Sequence, residues 1–214
     1  MQISPKTTLV TLTVYLIRHA QDPEGFRGGW SDLGLTDAGI DQSHQLAAFL
    51  EQRSVAFDTL LASDLKRARA TAEIVGRRFG LQVQASTAWR EVNNGELAGM
   101  PEREARERFP GLFFGSLGLD EAYPGGESPG RFKERIHEAF AKLETDIDRG
   151  VVGPRVALVI HNGVVTVLSA LVTGANWSNR DPGPGVPYTG VRVLTRGVGG
   201  WRCLDVYPPQ PGGV

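Results

Sequence analysis

Five side chains in this 214-residue chain have types and positions that suit shared chemistry. Arg18 and His19 end the apolar run in "YLIRHAQD", Arg67 lies in "SDLKRARA", Glu91 in "WREVNNGELAGM", and His161 in "VALVIHNGVV". Singly, each has a plain structural explanation: a satisfied histidine, a solvated helix arginine, a glutamate paired with a neighbour. Together they describe a site for phosphate. A phosphate dianion needs positive donors, and arginine offers a planar fork of them. A neutral His19 could attack phosphorus while Arg18 and Arg67 stabilise the charge that develops on the oxygens. Helices beginning after Ser63 and after His161 would add backbone N–H groups, those at Asn162 and Gly163 included, and Gly163 would let the backbone approach closely. The competing site is metallic, because His19, His161 and Glu91 are also the ligand set of non-haem iron centres. Two fixed cations would repel a divalent ion, so phosphate is the better match in sign. No metal and no cofactor are expected.

The elements that must position these residues alternate. "TLVTLTVYLI" is apolar on both faces and β-branched, as a covered central strand should be. Thr36 N-caps an expected helix to about Arg53, with Ile40, Ala47 and Leu50 inward. "FDTLLAS" is a second strand, followed by a helix whose Leu65, Ala68, Ala72, Val75 and Phe79 recur at helical steps. A strand "LQVQAS" leads to Glu91, and Pro101 opens a short helix to Phe109. The glycine-rich segment that follows belongs to an expected lid region at about 99–128. Ser128-Pro129 starts a helix to about Arg149, "RVALVI" is a buried strand ending at His161, and a helix runs from there to Gly174. The segment "SNRDPGPGVPYTG" is irregular, and "VRVLT" and "WRCLDV" form a hairpin. This order predicts a single α/β domain, a sheet covered by helices on both faces, with flexible ends at 1–8 and 208–214. In such sheets ligands bind beyond the carboxyl ends of the strands, which is where the five residues fall. His44 and His137, both mid-helix, are read as structural.

Bulk composition narrows the partners. Hydrophobic residues make up 41%, charged residues 22%, and the net charge is −1, which gives no overall pull toward nucleic acid or an anionic membrane. The single cysteine, Cys203, excludes an intrachain disulfide and fits a reducing compartment. The N-terminus lacks the pattern of a signal peptide, and the first apolar run is too short to span a bilayer. The expectation is a cytoplasmic protein with a small phosphorylated substrate and no signal for an oligomeric state.

In order, "LIRHAQD", "SDLKRARATAEIV", "WREVNNGELAGM", "PGGES" and "VALVIHNGVV" resemble the histidine phosphatase superfamily, the phosphoglycerate mutase-like fold, over about Val10 to Val206. The resemblance implies a three-layer α/β/α sandwich with a mostly parallel sheet and an inserted lid. It implies His19 as the nucleophile that becomes phosphohistidine, and Arg18, Arg67 and His161 as the phosphate pocket. Glu91 matches the proton donor, and the family uses no metal in this step. Ala20 replaces a usual glycine, Asp22 a common Ser or Thr, Gly25 a frequent asparagine, and Asn162 the first of two glycines. Within the family a phosphatase is favoured over a 2,3-bisphosphoglycerate-dependent mutase. Val92 and Asn94 stand where mutases carry Arg and Tyr, Gly28 stands where they carry a serine, and 99–127 is short for their basic insertion. A phosphoprotein phosphatase and a non-catalytic phospho-ligand binder are the remaining alternatives. Leu112, Phe113, Phe114, Tyr123 and Trp30 are candidates either to line a partly apolar lid or to pack it onto the body.

Overall fold

The computed structural model describes residues 12–206. The ends expected to be flexible, 1–8 and 208–214, lie outside the described residues, as does the first part of the expected first strand. Among the described residues six strands form one sheet: β1 (Leu12–Arg18), β2 (Thr59–Ser63), β3 (Val83–Ser86), β4 (Arg155–Ile160), β5 (Val191–Gly197) and β6 (Gly200–Val206). Their order is β3-β2-β4-β1-β5-β6. The first four are mutually parallel, and the β5–β6 hairpin adds two antiparallel strands at one edge.

Among the described residues five α-helices cover the sheet: α1 (Asp37–Gln52), α2 (Lys66–Phe79), α3 (Glu102–Arg108), α4 (Pro129–Asp148) and α5 (Asn162–Thr173). Successive strand side chains point to opposite faces, and the core divides accordingly. Val156, Leu158 and Ile160 of β4 pack with Phe132, Ile136 and Phe140 of α4 and Val164 and Leu168 of α5. Ala157 and Val159 of the same strand pack with Leu46 and Leu50 of α1 and Ala68, Ala72 and Val75 of α2. This is the expected α/β/α sandwich.

Local chemistry sets the helix ends. Thr36 Oγ1 accepts from the Gly39 N–H at 3.0 Å, and Ser128 Oγ accepts from Arg131 N–H at 3.2 Å with Pro129 in the first turn. Each cap satisfies an N–H that the helix itself cannot. Ile40, expected to point inward, is 41% exposed. The buried stripe of α1 instead runs through Gly39, Ser43, Leu46 and Leu50, and Ile40 sits at its edge in the first turn. Among the described residues no helix is long and apolar enough to cross a membrane.

Register explains why three distant segments end side by side. Arg18 of β1 pairs with Ile160 of β4, and Ala62 of β2 pairs with Val159. The backbone N–H of His19 still donates to the Ile160 carbonyl at 2.9 Å. Parallel strands in this register release His19, His161 and the start of α2 at one level, beyond the carboxyl ends of β1, β4 and β2.

Candidate active site

His19 is 5% exposed, and its ring is held by two complementary contacts. Nδ1 lies 2.8 Å from the Ala20 carbonyl, and Arg67 Nε lies 3.3 Å from Nε2. A carbonyl only accepts and a guanidinium only donates. Nδ1 therefore carries the proton, and the Nε2 lone pair faces Arg67. Burial, then Arg67, pushes the His19 pKa well below its ordinary value, with Arg18 adding to the effect and the Ala20 carbonyl opposing it. The imidazole is neutral at pH 7, the form that a nucleophile needs.

Arg67 is 2% exposed and is fixed by the loop before α1: Nη1 donates to Ser31 Oγ (3.1 Å) and the Ser31 carbonyl (3.3 Å), and Nη2 to the Gly29 carbonyl (2.7 Å). Its Nε edge is left facing His19. Arg18 is held from the far side of the chain, with Nη1 donating to the Val186 carbonyl at 2.8 Å and the guanidinium stacked 4.1 Å from the Tyr188 ring centroid. Its buried Nε has no hydrogen-bond partner among the described residues. His161 is fully buried, 5.0 Å from the His19 ring between centroids, and neither of its nitrogens has a partner among the described residues. Burial, followed by Arg67 and His19, holds its pKa well down. Buried polar atoms are seldom left unpaired, and phosphoryl oxygens would satisfy donors of this kind.

Glu91 leaves a 3-10 turn at Thr87–Trp89 and enters the cavity. Its Oε2 accepts from Gly163 N–H (2.9 Å) and its Oε1 from Val92 N–H (3.1 Å). Part of its surface opens to the cavity, yet desolvation dominates and raises the carboxyl pKa against the pull of those two N–H groups, Arg67 and Arg18. Arg135 of α4 holds this segment from below by donating to the carbonyls of Ala88, Arg90 and Glu91, and Trp30 Nε1 donates to the Glu91 carbonyl at 2.7 Å. Asp64, at the end of β2, binds Arg90 through two contacts of 2.7 and 2.6 Å.

Arg18, His19, Arg67, Glu91 and Asn162 line one cavity of about 310 Å³, with Asp22, Glu24 and Tyr188. His161, fully buried with its ring centroid 5.0 Å from that of His19, is not among the residues lining this cavity. The roles expected of Asn162 and Gly163 look different in three dimensions. The Gly163 N–H is spent on Glu91, and a Cβ there would stand 2.3 Å from Glu91 Oε1. Asn162 Oδ1 accepts from Val186 N–H at 2.9 Å, which ties α5 to the loop that carries Tyr188. The metal reading loses its geometry: the Nδ1 of His19 and both Glu91 oxygens are engaged, and among the described residues no three His, Cys, Asp or Glu side chains are grouped to hold an ion.

The expected lid aromatics pack onto the body. Phe114 meets Phe132 and Trp177, Tyr123 is buried, and Phe113 stacks on Arg27. The cavity's aromatic walls are instead Phe26 and Tyr188. Sequence reasoning missed Ser31, Arg135 and Tyr188. Tyr188 lies 166 residues from its partner Asp22, inside a stretch with no periodic signal.

Residues 14–207 match the histidine phosphatase superfamily, branch 1. The chain belongs to this superfamily. Histidine phosphatase relatives include a 2,3-bisphosphoglycerate-dependent phosphoglycerate mutase of Methylorubrum extorquens (strain PA1), 28% identical over 167 residues, which cover 74% of this chain and 78% of the relative. An uncharacterized phosphatase, PhoE, of Bacillus subtilis (strain 168) is 25% identical over 166 residues, 76% of this chain and 78% of that protein. The solved structure of a mycobacterial glucosyl-3-phosphoglycerate phosphatase superposes with a TM-score of 0.74 at 25% identity, covering 94% of this chain and all of that one. Both mutases and phosphatases of the histidine phosphatase superfamily are thus similar to it.

Proposed function

We propose that the protein is a phosphomonoester hydrolase that works through a phosphohistidine on His19, without a metal. The observation that carries this reading is the fixed tautomer of His19, with its Nε2 lone pair presented between Arg67 and the cavity. Nε2 attacks phosphorus and the ester P–O bond breaks. Arg67 and Arg18 take up the charge on the transferring oxygens, and an unpaired His161 nitrogen beside His19 donates to one of them. The departing alkoxide takes a proton from Glu91, whose raised pKa keeps the acid form available. Water then attacks phosphorus, Glu91 takes its proton, the N–P bond breaks, and inorganic phosphate leaves with His19 neutral again.

A second reading, the bisphosphoglycerate-dependent mutase, is favoured by the curated relatives. The cavity favours hydrolysis. Arg18 and Arg67 are the only Lys or Arg side chains in its described lining, and both stand beside His19. A mutase must also grip a second anionic group and protect its phosphoenzyme from water. Asn94, where mutases carry Tyr, is buried with its Oδ1 accepting the Trp30 N–H at 3.1 Å.

Incubation with a phosphate monoester in excess chelator is the test. Turnover should persist, vanadate should inhibit it, and an acid-labile, base-stable phosphoryl label should disappear in His19→Ala. Turnover that stops with chelator, or a label that survives in His19→Ala, would overturn the reading. Conversion of 3-phosphoglycerate to 2-phosphoglycerate only with added bisphosphoglycerate would establish the mutase instead.

A further inference from the structure

The charge of the catalytic cavity is divided. Arg18 and Arg67 adjoin His19, whereas Asp22 and Glu24 supply negative charge to the remaining wall. Asp22 is built into that wall. Its side chain is 13% exposed, its Oδ1 accepts from the Tyr188 hydroxyl at 3.1 Å, and its Oδ2 lies 3.5 Å from Arg67 Nε. Tyr188 is itself fixed by its stack on Arg18.

The contact to Arg67 is long for a charge-assisted hydrogen bond, and the same N–H faces His19 Nε2. A phosphoryl group seated against His19 is dianionic and competes for this donor. Once the Arg67 Nε–H donates to the phosphate, Asp22 Oδ2 loses that donor while the Tyr188 hydroxyl still anchors Oδ1. A partly buried carboxylate oxygen is costly to leave without a donor. The group that next enters this space is the alcohol portion of the ester.

Resting on the phosphatase reading, we infer that Asp22, reinforced by Glu24, reads the leaving group, and that the preferred substrate is the phosphate monoester of a short amino alcohol whose ammonium donates to Asp22 Oδ2. A neutral hydroxyl would satisfy the oxygen but not the charge of two carboxylates. A leaving group with its own carboxylate would meet like charge, with both lining guanidiniums already taken by phosphate.

Calorimetric dissociation constants for phosphoethanolamine, ethyl phosphate and O-phosphoserine test this, measured at pH 7 in a His19→Gln background so that nothing turns over. Phosphoethanolamine should bind about 10-fold tighter than ethyl phosphate, the gain of one charge-assisted contact. It should also bind tighter than phosphoserine, which adds a carboxylate. Adding Asp22→Asn should bring the first ratio to about twofold or less, on the same scale, while inorganic phosphate binds at least as tightly as before. Equal affinities for phosphoethanolamine and ethyl phosphate would overturn the inference. So would an unchanged ratio in Asp22→Asn, or loss of inorganic phosphate binding in it, which would make Asp22 a support for Arg67. Turnover of p-nitrophenyl phosphate by the wild-type protein tests the phosphatase reading separately: its absence beside an intact binding preference would sink that reading alone.

Discussion

Glu91 and the two site histidines have pKa values moved in opposite directions, and both shifts follow from burial. Burial raises the carboxyl and lowers the imidazoles, because each charged form is penalised. Both shifts move the site toward neutral His19 and protonated Glu91, the pairing that free side chains disfavour. For an alkyl phosphate, kcat/KM should fall in acid as His19 protonates, at a pH well below that of an ordinary imidazole, and fall toward alkali as Glu91 ionises, at a pH above that of an ordinary carboxyl. Glu91→Gln should flatten the alkaline limb and lower turnover by about 100-fold or more, and by much less for p-nitrophenyl phosphate, whose leaving group needs no proton. The same shifts bear on stability. As pH falls through 6.5 the unfolded chain protonates both histidines while the folded chain does not, so stability is lost at up to ~1.4 kcal/mol per pH unit for each. Glu91 has the opposite sign: its folded form keeps a proton above pH 4.5, so it adds stability as pH falls toward 4.5. The urea midpoint should therefore drop as pH falls below 6.5, and less steeply in His19→Gln.

Elements hold these residues by backbone as much as by side chain. The parallel register of β1 and β4 sets His19 beside His161, while β2 places α2 so that Arg67 reaches across to them. The first turn of α5 serves Glu91, because the Gly163 N–H donates to Oε2 at 2.9 Å. Gly163→Ala would place a Cβ 2.3 Å from the other Glu91 oxygen. Since a displacement of about 1 Å in a catalytic group can cost about 100-fold, kcat should fall by roughly that factor in this variant. Its affinity for inorganic phosphate should change little, because the proposed phosphate donors are Arg18, Arg67 and His161. Parallel titrations of turnover and phosphate binding check the split. The strands and helices here were legible from apolar periodicity and caps such as Thr36 and Ser128, which act within four residues of chain. Ile40 was misplaced because periodicity gives the direction of a helical stripe but not how far the neighbouring layer extends over its edge.

Across the molecule, two apolar layers grip the sheet, and the site lies beyond the carboxyl ends of its central strands β1 and β4. Ligand binding should thus feed into global stability. Inorganic phosphate or vanadate at 100 times its dissociation constant should stabilise the fold by ~2.7 kcal/mol, read as a rise in thermal midpoint that disappears in Arg67→Met. The sequence alone determined the α/β alternation, the positions of the strand ends, and the residue types of His19, Arg18, Arg67, Glu91 and His161, because these depend on local pattern and on the chemistry of single side chains. Tertiary structure alone decided that β4 inserts between β1 and β2, that Gly163 serves Glu91, that Arg135 props the Glu91 segment, and that Tyr188 locks Asp22 and Arg18. Those contacts join residues 44 to 170 positions apart. They arise from how layers pack and loops close, and no local propensity along the chain encodes them.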